Sequence, residues 1–297
     1  MFQNSSVFVL AGGTHANEIF RIDVDKETQI AICNSFSDAK DSLISADKER
    51  IVFDGSYKPN DDEFLAIENF QIQDEIKDAI RDPLGVTAYQ KQNGEFPDIR
   101  AVFVGERNEA DNSEHFNIAF QRFRKEQYIS TRGYNLFYNK DTFLRQSNFG
   151  ISISDSIDCI YADGELEFVS YFFARQVFDL GEYYRSATDG EVNSFASNAN
   201  LEIEDTEAFG KMADTWIRRK IAMINDSKVL DNYSASEIAQ RAAEVGVGIS
   251  TKGSKIVLPN DKRQVKVILG FLDEEAYKGP FSQKTYLANS KRQVNPR

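Results

Sequence analysis

With 297 residues, 41% of them hydrophobic and 12% aromatic, the chain has enough apolar surface for one large core or two ordinary ones, the composition of a globular protein and not of a disordered one. No apolar run approaches the ~20 residues that span a bilayer, and the opening MFQNSS lacks the basic start and apolar segment of a secretory signal, so a cytoplasmic protein is expected. The net charge of −12 argues against a nucleic-acid partner only until it is mapped: residues 1–120 hold 11 Lys and Arg against 23 Asp and Glu, whereas residues 121–297 hold 24 of each.

In chain order, Val7–Leu10 and Glu18–Val24 read as strands around the turn AGGTHA, and Gln29–Cys33 as a third. Ser37–Ala46 has the spacing of a short helix, and Ile51–Phe53 is a strand. Phe64–Phe70 fits either form. Asp74–Arg81 is a helix stopped by Pro83. Residues 85–98 are a connection rich in turn formers, Ala101–Val104 a buried-type strand, and Glu106–Glu114 an acidic loop. That loop predicts a boundary between an acidic region, 1–115, and a second domain, 116–297.

Phe116–Ile129 is read as a strand bending at its basic residues. Ile151–Ser154 and Ile157–Ala162 are strands, and Asp163-Gly164 reverses the chain into Leu166–Tyr171, since this turn needs positive φ at both central residues. Phe172, Phe173, Val177, Phe178, Leu180 and Tyr184 then fall on one helical face. Thr206–Ile224 is an amphipathic helix with Arg218 and Arg219 off its apolar stripe. Ser234 and Glu237 make a capping box for a helix ending at Gly246. Ile256–Leu258 is a strand, and Asn260 or Asp261 caps a helix through Leu272, with Gly279-Pro280 at a later turn. The fold class is α+β: a mixed N-terminal region, then a hairpin-centred antiparallel sheet packed with C-terminal helices. Cys33 and Cys159, far apart in apolar contexts, read as buried thiols.

Two constellations offer metal chemistry. Gly12-Gly13-Thr14-His15-Ala16-Asn17-Glu18 resembles the zinc-binding start of aspartoacylase-type hydrolases, and His15, Glu18 and His115 would supply three ligands. The substrate-binding motifs of those enzymes are missing. Asp158 with Glu165 and Glu167 could hold magnesium as restriction-type nucleases do, but Glu165-Leu166-Glu167 lacks the lysine such sites use. There is no P-loop, no GxSxG elbow and no CxxC pair.

The stretches FVSYFFARQVFDLGEYYRSATDGEVNSFA, TWIRRKIAMINDSKVLD and FLDEEAYKGPFSQKTYLANSKRQV, with Leu272-Asp273-Glu274, Tyr277 and Asn289-Ser290-Lys291-Arg292 the most characteristic, resemble the KwaB family of the Kiwa anti-phage system. The resemblance implies a non-enzymatic effector that needs no cofactor and binds DNA without sequence preference. It implies a homodimer that works with a membrane-embedded KwaA-like partner, at the inner face of the membrane, to block phage replication and late transcription. Such a role needs clustered Lys and Arg that release counterions from phosphates. The bases that suit it are Arg122, Arg124, Lys125, Arg218, Arg219, Lys262, Arg263, Lys266, Lys291 and Arg292. The alternatives are the zinc hydrolase and a scaffold or sensor that binds no DNA.

Overall fold

The computed structural model describes residues 2–55, 57–110, 113–129, 134–184, 186–288 and 291. Their contacts divide the chain into two units, residues 1–53 with 59–180, and residues 54–58 with 181–297.

The first unit begins with Val7–Ala11 (β1), buried at every position, and Ile19–Ile22 (β2). Lys26–Leu43 (α1) follows. Gln29–Cys33, expected as a strand, lies inside this helix. The β-favouring run QIAIC is overridden because Asp25 accepts from the Thr28 N–H at 2.9 Å and starts the helix early, and because Cys33, Phe36 and Leu43 bury one face. Glu49–Val52 (β3), Glu63–Ile67 (β4) and Asp74–Arg81 (α2) come next. Phe64–Phe70 is thereby settled as a strand over its first part.

Ile99–Ala110 (β5) and Ser113–Arg122 (β6) form a long hairpin in register from Ala101 opposite Arg122 to Ala110 opposite Ser113. Of Glu106–Glu114, expected as a boundary loop, residues 106–110 and 113–114 belong to its two arms, and residues 111 and 112 lie outside the described residues. Polar residues are tolerated there because Arg107 and Asn108 face solvent. Residues 115 and 116 thus sit within one strand, and the contacts divide the chain at 180/181 instead. Tyr128–Ile129 (β7) pairs with Gly150–Ile151 (β10), and between them Asn135–Asn139 (β8) pairs with Thr142–Gln146 (β9). Cys159–Ala162 (β11), Glu165–Phe168 (β12) and Tyr171–Val177 (α3) complete the unit. Asp163 (φ +50°) and Gly164 (φ +83°) make the expected turn.

The main sheet runs β2-β1-β5-β6-β11-β12-β4-β3, antiparallel except for the parallel pair β3 and β4. One face carries Val7, Val9, Val102, Val104 and Ala119 against Cys33 and Phe36 of α1. On the other, Phe8 stacks on Phe103 and Phe103 meets Phe120, which Phe178 approaches edge-on. Phe178 is the reason α3 is shorter than expected. Its backbone turns extended (φ −120°, ψ 155°), and its ring goes to Phe70 and Phe120 rather than along a helix face. Cys33 and Cys159 are both buried thiols, and burial pushes each up in pKa.

The second unit contains Asp189–Ala196 (α4), Leu201–Ile203 (β13), Thr206–Met212 (α5), Thr215–Ser227 (α6), Val229–Asn232 (α7) and Ala235–Glu244 (α8). Thr251–Lys252 (β14), Lys255–Leu258 (β15), Lys262–Leu272 (α9), Ala276–Lys278 (β16) and Thr285–Leu287 (β17) follow. The helix expected over Thr206–Ile224 is two helices. Asp214 is extended and accepts from the Ile217 N–H, so a new N-cap restarts the chain within one amphipathic pattern. The Ser234–Glu237 capping box and the Asp261 cap stand as expected. Val265, Ile268, Leu269 and Leu272 of α9 bury with Ile217, Ile221 and Ile224 of α6 beside the three-stranded sheet β13-β15-β14.

Candidate nucleic-acid interface

The cap that starts α9 sets the position of its bases. Asp261 accepts from the Gln264 N–H at 2.8 Å, which puts Lys262, Arg263 and Lys266 on the first two turns. Lys262 and Lys266, one turn apart, close on the Asp214 carboxylate at 3.0 and 2.9 Å. Lys266 also lies 5.1 Å from the centre of the Trp216 ring. Burial pulls Asp214 upward in pKa, but the Ile217 N–H and the two ammonium groups outweigh it and hold the carboxyl well below the usual carboxylate range. Arg263 is exposed and has no carboxylate partner among the described residues.

The Arg218-Arg219-Lys220 run does not form a patch. Arg218 donates to the carbonyls of Ala213 and Ala187 and, at 2.6 Å, to Asp189. Arg219 donates to the Tyr184 hydroxyl at 3.1 Å. Both were expected to face outward; instead each is half-buried and ties α6 to the chain before or within α4. Lys220 is only 6% exposed, with its Nζ 2.5 Å from both Asp273 and Glu275. Lys291 joins the same cluster, 3.0 Å from Asp273. Arg292, with Asn289 and Ser290, lies outside the described residues.

In the first unit Arg122 is spent on the fold. Its backbone N–H and its Nε reach the two oxygens of Asp158 at 2.7 and 3.1 Å, and its guanidinium lies 3.6 Å from the centre of the Phe173 ring. Burial raises the Asp158 pKa, against the pull of Arg122. Arg124 and Lys125 are exposed on the short turn Lys125–Gln127 after β6. The nine nominated bases among the described residues therefore fall in both units, and several hold structure.

The metal alternatives are not assembled. His15 pairs with Glu18 at 3.1 Å and His115 with Asp163 at 2.9 Å, and among the described residues no group of three His, Cys, Asp or Glu could hold a metal ion. Asp158 is engaged by Arg122 and Glu165 by Arg50, while burial, then repulsion from Glu165, raises the pKa of Glu167.

A family model described as Kiwa protein KwaB-like matches residues 112–281. The chain belongs to the KwaB-like family. Membership associates it with Kiwa anti-phage defence, and the matched segment takes in strands β6 to β12 of the first unit and most of the second. No curated protein and no solved structure matches the chain. Among the described residues of this KwaB-like chain, no helix is long and apolar enough to cross a membrane.

Proposed function

We propose that this KwaB-like chain serves anti-phage defence by holding DNA through its phosphates, without reading sequence and without cutting. The observation that carries the reading is the start of α9, where Lys262, Arg263 and Lys266 outnumber Asp214 and Asp261 at the positive end of a helix dipole. Asp214 fixes the two lysines while leaving them half-exposed, and Arg263 points its charge at solvent. Arg124 and Lys125 are the first unit's candidates. The proposal extends to a homodimer recruited to the inner face of the membrane by a KwaA-like partner; the family match supports only the association with Kiwa defence.

The test is titration of a labelled random-sequence duplex at low and physiological salt, with the DNA then run on a gel. Affinity should fall steeply with salt, and Arg263→Glu should weaken it and reduce the slope by about one for the lost phosphate contact. Silence at low salt, or binding indifferent to salt, overturns the proposal. Shortened DNA overturns its non-enzymatic part.

A further inference from the structure

The C-terminal hairpin has the composition of a surface for unpaired bases. Tyr277 and Tyr286 are direct partners across β16 and β17, and their rings stack at 5.7 Å with 24° between planes. Both remain substantially exposed, and Phe281 at the turn is 99% exposed. Phe281 stands on the turn that joins the two strands bearing Tyr277 and Tyr286, so one short hairpin presents three aromatic side chains to solvent. The only charged residues from Ala276 to Leu287 are Lys278 and Lys284, both exposed and without a carboxylate partner among the described residues.

The turn is built to keep this arrangement. Gly279 is required because a Cβ there would sit 2.7 Å from the Tyr286 ring, so the glycine lets that ring cover the turn. Ser282 and Tyr286 share a hydrogen bond at 3.0 Å, and Thr285 donates to the Val245 carbonyl at 2.7 Å, anchoring the hairpin to the end of α8.

From these features we infer that the hairpin stacks the bases of single-stranded DNA, with Lys278 and Lys284 meeting the adjoining phosphates. The inference rests on the DNA-binding reading above and gives it a preference for unpaired strands. Charge selects a polyanion, and exposed aromatic faces select one whose bases are uncovered; a duplex hides those faces.

Full-length protein is titrated with labelled oligothymidine and, in parallel, with a blunt duplex. Phe281→Ala changes a side chain that packs on little, so its fold should match wild type by circular dichroism. It should weaken oligothymidine binding roughly tenfold, the usual scale for one lost stacking partner, while duplex binding stays unchanged. Lys278→Ala with Lys284→Ala should lower oligothymidine affinity and flatten its salt dependence. Equal oligothymidine affinity for wild type and Phe281→Ala, or equal losses on both DNAs, overturns the hairpin inference and leaves the α9 reading standing. Binding of neither DNA by the wild type overturns both.

Discussion

Lys220 shows how one side chain can be misjudged from its neighbours in sequence. Beside Arg218 and Arg219 it looks like part of a basic patch, yet it lies one position from Ile221 and three from Ile217, on the apolar face of α6. That placement was legible from helical periodicity; its partners Asp273 and Glu275, more than 50 residues away, were not. Removing the ammonium would take the cation from buried Glu275 and leave buried Asp273 with Lys291 alone. Lys220→Met should cost about 3–5 kcal/mol, read as a lower melting temperature, and adding Asp273→Asn with Glu275→Gln should recover part of the loss. An unchanged melting temperature for the single variant would show that the cluster is not holding the C-terminal segment.

Asp214 is the second decisive residue, acting both as cap and as counterion. Asp214→Asn keeps an acceptor for the Ile217 N–H but removes the charge that Lys262 and Lys266 share. These pairs are partly exposed, so the cost at neutral pH should be about 0.5 kcal/mol per pair. The carboxyl is depressed in the folded state, so its contribution is complete above its ordinary value and is lost as pH falls through the folded one. The gap between wild type and variant in chemical denaturation should therefore begin to shrink below about pH 4 and go on shrinking as the pH falls further. A gap that persists at low pH would assign the effect to the cap.

At the scale of elements, local chemistry was readable and long-range rescue was not. The bounds of α2, the Ser234–Glu237 box, the Asp261 cap and the Asp163-Gly164 turn each depend on a few adjacent residues, and each appears where the sequence puts it. The strand expected at Gln29–Cys33 failed because packing against β1 and β5 favoured a helix face. The β8–β9 hairpin is a different case. Among the described residues its strands hydrogen-bond only with each other, while Leu136, Phe137, Tyr138, Phe143 and Leu144 are exposed. A lone two-stranded hairpin adds little stability of its own. Replacing residues 135–146 with a short Gly-Ser linker should leave the melting temperature within about 2 °C of wild type. A larger fall would mean that the hairpin supports the first unit.

Across the whole molecule, the α+β class was legible because strand and helix periods differ, but the order of the sheet was not. Nothing in the local pattern specifies that β12 sits beside β4, or that β3 runs parallel to it, since those pairings join residues about 100 and 15 positions apart. The boundary was misplaced for the same reason: an acidic stretch looks like a linker until its partner strand is known. The candidate interface was half-legible. Sequence identified the bases, but only the fold separates those spent on carboxylates and carbonyls, such as Arg122 and Arg218, from those left to solvent, such as Arg263.

The rims of the main sheet carry a further consequence. At one end Arg21 of β2 exchanges backbone hydrogen bonds with Thr87 and Tyr89, which cap that margin with the chain's own connecting segment. At the other, β3 presents Glu49 and Arg50, and Arg50 is clasped by Glu68 and Glu165. Charged and covered margins are poor templates for a foreign strand. An eight-stranded sheet bordered in this way offers second copies of the chain little to zipper onto.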